Sequence, residues 1–344
     1  MNASATIRRE YVRASVMHMR PPSMQYTHNL ERRPANHEKL RGFNKVDHLQ
    51  HREDCEKERT VGTAEKTESY YDTDGKDSQS FMEFDDEDTT TQRIRKMLTV
   101  FPYRDPIYLV AIMFTIGSLD LVINGLFDIL PQTIPASKFE GEETIAVPAT
   151  ILIGAIFFFV AGIFDIFGAL NADRGTLETS KENLGAVTYR PALIGSPEFK
   201  WIPSRTKFVE LATTNLAFQA GLVVTFGGVI FMFGGVVSFP GVVDKNSPYF
   251  KSIVFGPQIL HGLLFWSANL MLALSEQEKW YIPKFQDPDW RGAFWNASGG
   301  FWFMVGGVLG VENHEIGESA AELTGGLAFL IGSVGRWFVV MEFC

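Results

Sequence analysis

The sequence predicts an all-α membrane protein: a six-helix transmembrane bundle built of three tandem helical hairpins, with a disordered N-terminal tail over residues 1–105. Three observations predict it. Six apolar runs are long enough to cross a bilayer, basic residues crowd into alternate loops, and a pair of small residues recurs every seven positions inside the runs. The mean hydropathy of +0.01 averages two unlike parts of the 344-residue chain. Residues 1–105 hold 18 Lys/Arg and 19 Asp/Glu, whereas 106–344 hold only 13 Lys/Arg and nearly all the Phe, Trp, Gly and Leu. The net charge of −9 therefore belongs mainly to the second part. It gives no basic face for nucleic acid.

The tail lacks any sustained period of 3.6 or 2, so it cannot bury enough apolar area to offset its ordering entropy. Disorder on the cytoplasmic side is expected. Its acidic run, Glu83-Phe84-Asp85-Asp86-Glu87-Asp88, reads either as a solvated stretch or as a docking segment for a cytoplasmic protein partner. Five of the seven histidines (His18, His28, His37, His48, His51) fall in the tail without metal-ligand spacing. Two cysteines, Cys55 and Cys344, are too few for a disulfide framework.

The spans are expected at about 107–130, 147–170, 208–236, 253–274, 290–311 and 320–341. Each covers the ~20 residues needed to cross ~30 Å of hydrocarbon. Buried helices of a soluble protein do not explain six such runs, because almost nothing polar would remain to cover them. Lys and Arg flank the tail's end and the loops after spans 2 and 4, for example Arg95, Lys200, Lys207 and Lys279. The loops after spans 1 and 5 carry acid such as Glu143 and Glu315. That bias places both termini in the cytoplasm, in a membrane whose identity the sequence does not name.

Pairs of small or polar residues repeat at seven-residue intervals. They include Gly227-Gly228 and Gly234-Gly235, Gly299-Gly300 and Gly306-Gly307, and Gly325-Gly326 followed by Gly332-Ser333. Spans 1, 2 and 4 follow the pattern with Gly117-Ser118, Gly154-Ala155 and His261-Gly262. In lipid, close backbone approach at small residues supplies much of the helix-packing energy, and a seven-residue period keeps such a seam facing its neighbour. Lys200-Trp201-Ile202-Pro203 after span 2 and Lys279-Trp280-Tyr281-Ile282-Pro283 after span 4 suggest hairpins that close at a basic, aromatic edge.

Ionisable residues inside a membrane cost about 2–4 kcal/mol even on mild scales, so each is a functional candidate. The ionisable candidates are Asp120, Asp128, Asp165, Glu210, His261, Glu322 and Arg336, with the polar Asn124 beside them. All are expected on the small-residue seam, facing protein. Asp165 and Arg336 fall at similar depth and are expected to form a buried ion pair. That pair either fixes which hairpin meets which or serves transport. Asp120, Asn124 and Asp128 read as one polar stripe, a cation or proton path or else interhelical packing glue. His261 is expected to be a satisfied interhelical donor.

No Walker loop, dinucleotide glycine pattern or Gly-x-Ser-x-Gly elbow occurs. No enzyme chemistry, cofactor or metal is expected. The segment Pro191-Ala-Leu-Ile-Gly-Ser-Pro-Glu-Phe-Lys-Trp-Ile-Pro-Ser204 resembles a loop of uncharacterised fungal multi-pass integral membrane proteins, and the likeness runs over about 95–344. The resemblance implies multi-pass topology and a fungal source; Arg336 stands where a small or apolar residue is expected. Two functions remain. One is a non-enzymatic protein that organises or senses the bilayer; the other is a transporter or channel for a proton, cation or small solute using the seam carboxylates.

Overall fold

The structure, a computed structural model, describes residues 2–19, 89–179 and 187–343. By contacts the chain forms two units, and almost all described residues belong to one, made of 1–15, 84–178 and 188–344. The acidic run, both cysteines and His28, His37, His48 and His51 lie outside the described residues.

The described elements are nearly all helical. They are α1 (Ala3–Met19), α2 (Thr90–Thr99), α3 (Pro106–Thr133), α4 (Val147–Leu170), β1 (Thr176–Thr179), β2 (Val187–Arg190), α5 (Arg205–Thr214), α6 (Leu216–Val237), α7 (Phe250–Ser275), α8 (Pro288–Val311) and α9 (Glu315–Val340). The helix starts are written locally. Asp105 caps α3, accepting from the Ile107 nitrogen at 3.0 Å with Pro106 at the first position. Asp287 caps α8 in the same way, ahead of Pro288. Thr89 and Gln92 form a capping box for α2.

Six long helices pack as a closed ring in the order α3–α4–α6–α7–α8–α9 and back to α3. α7 lies against α8 as closely as α8 lies against α9, so no gap marks one hairpin off from the next. Among the described residues, five segments are long and apolar enough to cross a membrane: Pro106–Thr133, Glu142–Leu170, Leu216–Val237, Phe250–Ser275 and Glu315–Phe343. This is a helical, membrane-type chain. α8 falls outside that set because glycine, tryptophan and Asn296 dilute its aliphatic content.

Two expectations are corrected. The third run is not one helix, because Asn215 turns extended (φ −108°, ψ 112°) and caps α6 by accepting from the Phe218 nitrogen at 2.9 Å. α5 is thus a separate helix without a buried residue. The tail is also not uniformly disordered: α2 is a capped helix, and α1 inserts its first turns into the bundle, with Asn2, Ala3, Ser4, Ala5 and Arg8 buried. The bundle itself supplies the burial and polar partners that the tail lacks in its own sequence.

Candidate functional site

Each small pair serves two neighbours. In α6, a Cβ on Gly228 or Gly235 would stand 3.0 Å from the Phe159 Cα and 2.9 Å from the Leu152 Cα of α4. Gly227 and Gly234 instead face Phe265 and Pro257 of α7. In α8, Gly300 and Gly307 meet α7, while Gly299 meets Phe329 of α9 and Gly306 lies between Gln258 and Glu322. Gly326 of α9 reaches the Leu121 backbone of α3, and Gly325 reaches Phe303 of α8.

The residue three positions after each pair points between these two seams, toward the ring axis. Those residues are Leu121, Phe158, Phe231, Phe265, Phe303 and Phe329, one from each ring helix, all buried. Phe158 is the hub, with ring centroids 6.1 Å from Phe231, 5.6 Å from Phe265 and 5.2 Å from Phe329. Phe303 closes onto Phe329 at 5.7 Å and onto Phe231 at 6.1 Å. One apolar layer therefore fills the axis at mid-height.

Seven residues to either side of it lie two further layers. Toward α1 the positions are Phe114, Asp165, Val224, Leu272, Asn296 and Arg336, all buried. Toward the opposite end they are Asp128, Ile151, Ser238, Gln258, Gly310 and Glu322, and five of these six line a cavity of about 150 Å³.

At the first end, the expected Asp165–Arg336 pair does not form. α4 and α9 are not neighbours in the ring, and α1 brings other partners. Asp165 accepts from the backbone nitrogens of Ala3 at 3.0 Å and Ser4 at 2.8 Å, capping α1 from another helix. Arg336 instead pairs with Asp289, which also holds Arg9. Arg8 forms a two-pronged buried pair with Asp105 at 2.6 and 2.9 Å. Thr6 donates to Glu276 at 2.9 Å, just beyond the end of α7. Burial and the charge of Asp289 push the Glu276 carboxyl above its ordinary value, outweighing Arg336 and Arg9. Through these contacts Asn2–Arg9 covers that end of the ring.

At the opposite end, Ser319 donates to Asp128, and Gln258 donates to Glu322. His261 rests on the aromatic layer, stacked on Phe231 with centroids 4.1 Å apart. Its Nδ1 meets the Pro257 carbonyl oxygen of its own helix at 3.0 Å, so it is not an interhelical donor. Its Nε2 is buried and has no partner among the described residues.

The polar stripe on α3 divides. Asn124 donates to the Val147 carbonyl oxygen (2.7 Å) and to Thr150 (2.8 Å), as packing between α3 and α4. Asp120, half-buried, lies against Gly154 of α4. Only Asp128 of the three lines the cavity. Glu210 sits exposed on α5, outside the ring, because the helix breaks at Asn215. Among the described residues no group of His, Cys, Asp and Glu is gathered as for a metal ion.

Sequence reasoning missed the phenylalanines, Gln258, Glu318, Asp289 and the arginines of α1. The phenylalanines had a signal, three residues after five of the six small pairs. Asp289 and the α1 arginines had none, since their partners come from distant segments. Comparison with known proteins adds no relative: no family model, no curated protein and no solved structure matches the chain.

Proposed function

We propose that the ring axis is a gated pathway for a proton, a cation or a small polar solute, in a non-enzymatic membrane protein that spans the bilayer six times as three tandem hairpins. The observation that carries this reading is the layering on the axis. Carboxyl, imidazole and guanidinium groups converge from different helices on both sides of one phenylalanine layer, whereas polar groups that only pack helices would sit in the seams, as Asn124 does. Water and ions do not cross a closed apolar constriction, and opening it by small side-chain or helix movements wets the path. Asn2–Arg9 then serves as a second closure.

α8 counts as the sixth span because its outward face, with Phe294, Trp295, Phe301, Trp302 and Val308 exposed, suits lipid. Exposed Trp201, Ile202, Trp280 and Tyr281 at the α1 end, beside Lys200 and Lys279, favour a cytoplasmic interface there, with both termini on that side. A fungal source and a docking role for the tail remain part of this reading. The competing role, a static organiser or sensor of the bilayer, needs the axis never to open.

Reconstitution in liposomes tests the choice. The full chain is expected to pass protons, potassium or a small polar solute slowly. Phe158→Ala, which removes the hub ring, and deletion of residues 2–9 are each expected to raise that rate at least several-fold. If neither variant conducts anything above empty liposomes while both remain folded, the axis is packing and the organiser reading stands.

A further inference from the structure

The cavity at the end remote from α1 is lined by Asp128, Glu318 and Glu322, by His261 and Gln258, and by Phe231 and Phe303. No Lys or Arg is among the residues lining it. An acidic pocket alone says little; the imidazole says more. In the neutral ring, with Nδ1 against a carbonyl oxygen that can only accept, Nδ1 carries the proton and Nε2 presents a lone pair. That lone pair is buried without a partner, on a ring 1% exposed that lines the cavity. Leaving such a group unmet is unfavourable, so a donor belongs there.

We propose that this cavity binds a small protonated amine, ammonium or a short primary alkylammonium, whose N–H groups are shared among the His261 Nε2 and the carboxylates of Asp128, Glu318 and Glu322, beside Phe231 and Phe303. The lining offers several acceptors and no cationic side chain, which suits a cation with several hydrogens. A bare metal ion needs a tighter cage of ligands than the described residues gather. At about 150 Å³ the space falls below the ~300–1,000 Å³ of drug-sized sites, so the ligand has few heavy atoms. The assignment deepens the proposed pathway and rests on it for the ligand's onward route, not for binding.

The test uses the full chain in detergent at constant ionic strength, with methylammonium, tetramethylammonium or sodium as the chloride. Methylammonium is expected to raise Tm saturably. Tetramethylammonium, charged but without N–H, and sodium are not. Glu322→Gln and Asp128→Asn should lose the response, while Glu312→Gln, on the exposed turn after α8, should keep it. Where a variant does not fold, the native chain gives the answer through equilibrium dialysis with radiolabelled methylammonium. At about ten times its Kd, unlabelled methylammonium lowers the bound label about tenfold by mass action, and tetramethylammonium and sodium leave it in place.

Equal shifts and equal displacement by methylammonium and sodium overturn the assignment, as does a response that survives both carboxyl variants. Binding without flux in liposomes keeps the site and removes the pathway. Flux of other solutes without methylammonium binding keeps the pathway and removes this ligand.

Discussion

At Gly262 and Gly300 the backbones of α7 and α8 touch. A Cβ on Gly262 would lie 2.5 Å from the Met304 nitrogen, and one on Gly300 would lie 2.5 Å from the Trp266 nitrogen. Neither obstacle is a side chain that can swing away, so the helices would have to part. Gly300→Val is expected to cost on the order of 1–3 kcal/mol by overpacking, seen as a lower Tm and loss of the monodisperse peak in detergent. Gly335 has nothing within 4 Å, so alanine there should raise Tm, by up to about 1 kcal/mol of helix propensity. Similar losses at all these sites would mean that close approach is not what the glycines provide. A second residue-scale case is Asp289, between Arg9 and Arg336. Asp289→Ala strands a buried guanidinium and should cost about 3–5 kcal/mol. Arg9→Ala leaves the inner pair intact and should cost distinctly less. Equal losses in thermal denaturation would place the weight on Arg9 instead.

Among the elements, α1 departs furthest from expectation. Read alone it is a short polar helix with no acidic residue in its first turn. Its first-turn donors are met by Asp165 from α4, and its arginines by Asp105 and Asp289. Asp165→Asn removes the charge but keeps an acceptor, and should weaken docking by about 1 kcal/mol, as for a lost cap. Hydrogen exchange at the Ala3 and Ser4 amides should then quicken several-fold, while the ring core is unchanged. Glu276 adds a pH dependence. In the folded chain its carboxyl binds its proton more tightly than in an exposed state, through burial and the charge of Asp289. Its contribution to stability is therefore fully present below the ordinary carboxylate range and is lost as pH rises through the raised value. Tm should follow that trend, and Glu276→Gln should flatten it.

For the whole molecule, the paired small residues carry more geometry than a single seam. Neighbours of a helix in a six-membered ring lie about 120° apart, and consecutive residues on a helix lie about 100° apart, so an adjacent pair can meet both neighbours. A residue three positions after the pair falls roughly midway between those directions, facing the axis. This places Asp128, Asp165, Glu322 and Arg336 on the axis and turns Asp120 toward α4, as the structure has them.

Helix positions, the capping residues and these axial directions were legible in the sequence because each depends on spacing within one segment. Apolar length fixes where hydrocarbon can hold a helix, and the heptad of glycines fixes which faces approach. Partner choice was not legible. Asp165 and Arg336 sit at one depth with opposite charge, yet each has a nearer partner, because ring order separates their helices and α1 arrives between them. The break at Asn215 that frees Glu210 from the ring is likewise a competition between side-chain capping and helix continuation. Residue spacing thus settles what each helix presents. Only the assembled ring settles what it is presented to, since burial and ion pairing depend on distances between segments that one-dimensional order does not contain.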